Sequence, residues 1–339
     1  MPVGYLASLT PIALGTWFAV FPQHRLGTVS YWCSLVLNEV PFLGVYWVLA
    51  STLLAFAGGD IDSPASWALV TLATLTTVGL GVVALRARPS RDLPWARILL
   101  APLRVRRGDV RRVANLSYGP AGKRNLLDVY HCRGRPSGGP VLVYAHGGHF
   151  RSGHKNREAR PLLYRLASQG WVCLSISYRL QPQASFPDFH DDYARAITWA
   201  REHAGEYGGD AETLFVSGSS AGAHMAAMAA LTDTAVAGAL CFYGYYGRVD
   251  STPGSTPAAF LRQDAPPFFL AHGDQDTLVP VEWARDFVEA LSRTSCNEVA
   301  YLELPWAQHS FDLFRSIRYE RVVRQAVEFT TEVRARNAT

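Results

Sequence analysis

The chain has 339 residues, 49% of them hydrophobic, and a formal net charge of +4. That length holds one large domain plus extra segments, and much of the charge excess sits in one stretch. Its five cysteines, Cys33, Cys132, Cys173, Cys241 and Cys296, are scattered, odd in number and never in C-x-x-C spacing, which argues against a disulfide framework and a zinc site alike.

Residues 1–85 carry only Arg25, Glu39, Asp60 and Asp62 as charged side chains. Three uncharged apolar stretches, 4–22, 40–59 and 64–85, each approach or exceed the roughly 20 residues that cross a bilayer. Residues 1–86 are therefore expected to form a transmembrane region of about three helices, with the lipid bilayer as their partner. The short apolar piece 26–38 reads as interfacial or as an extension of the second span. No Lys or Arg precedes Arg25, so the first stretch does not read as a secretory signal peptide.

Residues 87–114 are expected to form a basic juxtamembrane linker. Arg86, Arg88, Arg91, Arg97, Arg104, Arg106, Arg107, Arg111 and Arg112 crowd this region against only Asp92 and Asp109. A basic run directly after an apolar segment marks the cytoplasmic side of a membrane, and this reading is preferred to nucleic-acid binding. It places the part of the chain that follows in the cytoplasm and the N-terminus outside.

From about residue 115 to 339 strands and helices alternate. Strands are expected at 125–130, 141–145, 171–176, 214–216, 237–242, 267–271 and 298–304, and helices at 156–169, 188–206, 281–294 and 313–334. Such alternation means an α/β fold, a mostly parallel sheet with helices on both faces.

Within it, Gly218-Ser219-Ser220-Ala221-Gly222 is a G-x-S-x-G nucleophile elbow between an apolar strand and a helix-forming run. The glycines permit a turn too tight for side chains, and the turn lifts Ser220 toward the first amides of a helix. A serine hydroxyl needs a base, a group that orients the base, and donors for the oxyanion. Three histidines follow Ser220. His224 is one turn into the elbow helix and cannot lie over the serine. His272 ends a strand and reads as a brace. His309 follows the last strand, on a loop able to return to the elbow, and is the expected base.

The acid is expected after the penultimate strand, where both Asp274 and Asp276 are candidates. Asp276 lies deeper in the loop, and Asp274 is placed to hold that loop through local hydrogen bonds. The oxyanion donors are expected from the strand and loop ending His146-Gly147-Gly148-His149-Phe150: the amides of Gly148 and His149, joined by that of Ala221. His146 reads as a loop brace. His149 and His154 have no clear carboxylate or cysteine partner in this motif, so no metal and no cofactor are expected.

These residues together resemble the esterase/lipase branch of the α/β-hydrolase fold, near the hormone-sensitive-lipase-like carboxylesterases. The likeness covers residues from about 115 to 339. It rests on His146-Gly147-Gly148, on Tyr178-Arg179-Leu180-Gln181-Pro182 with Phe186-Pro187, on Tyr207-Gly208-Gly209-Asp210, on Gly218 to Gly222, on the Asp276 loop and on His309. The family often has a third glycine where His149 stands and an acidic residue where Ser219 stands. The chain is thus more similar to the sub-branch that includes feruloyl-esterase-like and formamidase-like enzymes. An N-terminal membrane region before such a domain is similar to some actinobacterial membrane-associated esterases.

The resemblance implies Asp276 as the acid. It also implies a serine carboxylester hydrolase of the bacterial cell membrane, acting through an acyl-enzyme on a lipophilic ester. A small-amide hydrolase on the same triad, or a non-catalytic membrane scaffold, are the other readings. The segment between the strand near Phe242 and Pro266 is too short for a large helical lid.

Overall fold

Proline opens two of the N-terminal helices, Pro41 in α3 (Pro41–Ala57) and Pro64 in α4 (Pro64–Arg86). At a helix start its missing N–H costs nothing and its fixed φ is already helical. Ser63 and Ser66 close a capping box ahead of α4. Before them run α1 (Val3–Val20) and α2 (Gly27–Glu39), and α5 (Trp95–Leu100) follows. The computed structural model describes residues 3–134 and 138–337.

α1 and α4 are each long and apolar enough to cross a membrane. α2 and α3 pass that test only as a pair, bent by 85°. Residues 26–38 therefore form a helix that turns away from the 40–59 stretch instead of prolonging it straight. Leu53, Leu54, Leu75 and Leu85 point outward from these helices and are exposed.

The chain divides into two compact units. One comprises the residues up to Arg104 with Gly273–Pro280 and Leu304–Glu320. In it Tyr5, Leu9, Val48, Leu69 and Ala73 form a core among the helices. A second cluster gathers Ala87, Leu93, Ile98 and Ile317.

The other unit comprises Val105–His272, Val281–Glu303 and the residues from Arg321 onward. Its strands are β1 (Val110–Ser117), β2 (Leu126–Cys132), β3 (Gly139–Ala145), β4 (Val172–Ile176), β5 (Gly209–Ser219), β6 (Gly238–Phe242), β7 (Phe268–Gly273) and β8 (Val299–Leu304). They form one sheet in the order β1-β2-β4-β3-β5-β6-β7-β8. β1, β2 and β4 pair antiparallel, and β4, β3, β5, β6 and β7 pair parallel. All seven residues of β3 and all five of β6 are buried, as parallel strands covered on both faces require. The connecting helices are α6 (Arg160–Ser168), α7 (Phe186–His203), α8 (Ala221–Thr232) and α9 (Val281–Thr294), and the last of the described elements is α10 (Ile317–Asn337).

α10 starts four residues after the expected position. Ser316 Oγ accepts the Tyr319 N–H at 3.0 Å and caps the helix. β1 starts at Val110, inside the arginine-rich stretch. There Arg112 reaches across to the buried Asp128 at 2.6 Å, and Lys155 approaches the other oxygen of that carboxylate at 3.0 Å.

Candidate active site

β5 is the central strand of the sheet, and at its end the chain turns sharply into α8. Ser220 sits on this turn with φ +54° and ψ −117°, a conformation that non-glycine residues adopt only when the surroundings enforce it. A Cβ at Gly218 would lie 2.2 Å from the Gly222 backbone, and one at Gly222 would lie 2.1 Å from the Ala145 oxygen. No side chain fits at either position. The strain is held by hydrogen bonds: Ser220 N–H donates to Phe242 O at 2.9 Å, and the Tyr144 hydroxyl donates to Ser219 Oγ at 2.8 Å. The buried Tyr193 hydroxyl accepts the Ser217 N–H at 3.1 Å. Ala221 opens α8, so its amide has no acceptor within the helix and contributes to the positive end of the helix dipole.

The loop after β3 lies against this elbow, since a Cβ at Gly147 would stand 2.9 Å from Ser220 Cβ. Gly148 has φ +121°, followed by His149 at +54° and Phe150 at +59°. The Gly148 carbonyl accepts the Arg151 and Ser152 N–H groups at 2.9 and 3.0 Å and so turns into its own loop. Thus Gly148, His149, Ala221 and Ser220 share one neighbourhood of the sheet unit.

His146 braces the loop. Its ring stacks on Tyr178 at 4.4 Å, and the Tyr178 hydroxyl donates to His146 O at 2.9 Å. Burial pushes the His146 imidazole down to about 3, which keeps it neutral at physiological pH. Sequence reasoning missed Glu158. This buried carboxylate accepts the Gly147 N–H at 2.5 Å and fixes the loop from below. No motif marks it.

His224 is wholly buried among the rings of Phe150, Phe186, His190 and Tyr245. Neither of its ring nitrogens has a hydrogen-bond partner among the described residues.

The Asp274–Asp276 and His309 loops belong to the other unit. His309 Nδ1 lies 2.6 Å from Asp276 Oδ2, and both side chains are buried. A carboxylate only accepts, so Nδ1 carries the proton and Nε2 is the basic nitrogen. Asp276 is itself pinned, because its Oδ1 accepts the Leu278 and Val279 amides at 2.9 and 2.8 Å. Asp274 takes a different part, with its Oδ1 accepting the Trp306 N–H at 2.6 Å. It ties the two loops together and leaves Asp276 as the partner of the imidazole.

The segment expected to be too short for a lid carries a single 3-10 turn, Pro257–Phe260, among the described residues. Beside it, Arg151, Gln181, Pro182, Ala184, Ser185 and Asp250 line a cavity of about 550 Å³. Among the described residues no three His, Cys, Asp or Glu side chains are grouped to hold a metal ion.

The BD-FAE family profile matches residues 127–240, which run from β2 through the elbow to β6. The chain is 35% identical to the probable carboxylic ester hydrolase LipM of Mycobacterium tuberculosis over 69% of its own length and 64% of that protein. It therefore spans less than two thirds of LipM. It is 34% identical to the esterase LipC of the same organism, over 83% of this chain and 82% of LipC. Among solved structures, Thermogutta terrifontis esterase 2 phosphoramylated by tabun superposes with a TM-score of 0.58 at 24% identity, covering 67% of this chain and 95% of that one. That likeness is one of fold. With LipC matched along most of both chains, the protein belongs to the α/β-hydrolase carboxylesterase family.

Proposed function

We propose that this chain is a membrane-anchored serine hydrolase of carboxylic esters, with Ser220 as nucleophile, His309 as base and Asp276 as the group that orients it. The observation that carries this reading is the buried His309–Asp276 pair, which leaves the imidazole a single basic nitrogen. In the proposed mechanism His309 Nε2 takes the Ser220 proton as Oγ attacks the ester carbonyl. The imidazolium then protonates the departing alcohol, and the same nitrogen activates the water that cleaves the acyl-enzyme. The amides of Gly148, His149 and Ala221 receive the oxyanion, each contributing about 3 kcal/mol of transition-state stabilisation.

The relatives' names, a carboxylic ester hydrolase and an esterase, support the bond cleaved. The outward leucines of α3 and α4 support a lipid-facing region within residues 1–86 and, with it, a lipophilic ester as substrate of the domain at 115–339. Arg86 donates to Val20 O and Arg112 pairs with Asp128, so both are engaged within the protein. A cytoplasmic catalytic side therefore rests on the other arginines of the 87–114 segment, Arg88, Arg91, Arg97, Arg104, Arg106 and Arg111, with Arg107 held by Asp109.

The test is hydrolysis of p-nitrophenyl butyrate by the full chain in detergent. Ser220→Ala is expected to lower kcat about 10⁴-fold or more. Equal turnover by this variant and the wild type would overturn the assignment.

A further inference from the structure

Helix α2 is bonded to the loops of the acid and the base. The Tyr31 hydroxyl donates to Ser310 Oγ at 3.0 Å, and Ser310 is the residue after His309. The Tyr31 ring meets the His309 imidazole edge-on, with centroids 6.0 Å apart and planes at 76°. Tyr31 is only 3% exposed. One helical turn earlier, Gly27 O accepts from Thr277 Oγ1 at 2.9 Å, and Thr277 is the residue after Asp276. Residues four apart lie on one helix face, so a single face of α2 holds the neighbour of each member of the pair.

The His309 loop needs such support. Trp306 and Ser310 have φ of +56° and +60°, left-handed conformations that persist where the surroundings over-determine them. Trp306 lies under the Arg86 guanidinium at 3.6 Å from the ring centroid, and the Arg318 guanidinium donates to Trp306 O at 3.1 Å. Ser310 has the Tyr31 hydroxyl. The N-terminal helices thus supply a cation–π contact at Trp306 and a hydrogen bond at Ser310, while α10 adds the bond to Trp306 O.

Resting on the triad reading above, we infer that Tyr31 is a positioning residue for His309 and that α2 is a working part of the catalytic apparatus as well as of the membrane region. Its hydroxyl holds the side chain of Ser310, the residue beside the base, and its ring edge limits how far the imidazole can swing. A base displaced by about 1 Å can lose about 10²-fold in rate, so this contact acts on kcat. Movement of α2 within a lipid or detergent surface would reach the base through the same contact.

The experiment uses the full chain in detergent micelles with p-nitrophenyl butyrate. Tyr31→Phe keeps the ring and removes the bond to Ser310, and is expected to lower kcat about fivefold with KM within about twofold of wild type. Tyr31→Ala also removes the ring, and kcat is expected to fall about 10²-fold. Ser310→Ala should match Tyr31→Phe, and the double variant should be no worse than either single one, because both delete the same bond. His309→Ala is the control for the underlying reading: if it keeps wild-type turnover, the triad assignment fails. If His309→Ala is inactive while both Tyr31 variants keep wild-type kcat, the positioning role is overturned. Additive losses in the Tyr31→Phe/Ser310→Ala pair overturn it equally. Should Tyr31→Ala lose its fold by circular dichroism, that conservative cycle decides alone.

Discussion

Glu39 and Arg318, 279 residues apart in sequence, form an ion pair at 3.4 Å with side chains 1% and 2% exposed. Ser316 Oγ donates to the other Glu39 oxygen at 2.6 Å, and Arg318 also donates to Asn38 O at 2.5 Å. The end of α2 is thereby fastened to the start of α10. A buried pair of this kind contributes little net stability compared with an apolar pair, but losing one partner leaves a charge without compensation. Glu39→Ala is expected to destabilise the protein by about 3–5 kcal/mol, read as a lower thermal midpoint in detergent. Glu39→Gln keeps an acceptor for Ser316 and should fall between the two. An unchanged midpoint in Glu39→Ala would show that the pair holds nothing.

The two loop aspartates should separate cleanly by kinetics. Asp276 carries the imidazole, so Asp276→Asn is expected to lower kcat about 10⁴-fold by favouring the wrong tautomer of His309. Asp274 accepts the Trp306 N–H and ties the two loops together, and Asp274→Asn should cost about tenfold or less. Turnover of p-nitrophenyl butyrate by the two variants measures this. The reverse order would transfer the orienting role to Asp274.

The oxyanion loop offers a test of Glu158. Its carboxylate holds the Gly147 amide, one residue before Gly148. Glu158→Ala leaves a buried N–H unsatisfied, an expense of about 1–3 kcal/mol, and frees the loop to move away from the elbow. Loss of kcat by about tenfold or more is expected, with a smaller change in KM. A variant that loses thermal stability alone, at wild-type kcat, would make Glu158 a purely structural support.

What was legible in the sequence is what depends on short stretches of chain. The elbow is enforced by contacts between residues four apart, Gly218 against Gly222, so a five-residue pattern reports it. The buried parallel strands are short apolar runs and show themselves as such. Chain order points to the loops after the last two strands for acid and base, and the family resemblance singles out Asp276 from Asp274. Other features depend on partners remote in sequence, and no local pattern records them. Tyr31 and Ser310 are 279 positions apart, and Tyr31 reads on its own as one more aromatic in an apolar helix. β1 was hidden for another reason. It is an edge strand with Arg111 and Arg112 in adjacent positions, so its charges merge with the basic run before it and mask the strand. Asp128, the partner that explains Arg112, lies on the next strand.

The elbow helix also predicts how stability depends on pH. Burial, reinforced by the nearby His190, pushes His224 from the usual 6.5 down to about 3, and burial pushes His190 down to about 4. Neither nitrogen of His224 has a hydrogen-bond partner among the described residues, so a proton there would gain no acceptor. In the unfolded chain both imidazoles take up protons below about 6.5, whereas in the folded protein they remain neutral until about 4 and about 3. Across that window the unfolded state binds more protons, so stability rises with pH and is lost progressively as the solution is acidified. The thermal midpoint is therefore expected to fall between about pH 6.5 and about pH 4. His224→Gln removes one titrating ring and should flatten the slope without abolishing it, because His190 and the similarly depressed His146 remain. Thermal melts of both proteins across this range measure the effect, and parallel slopes would show that His224 does not contribute to it.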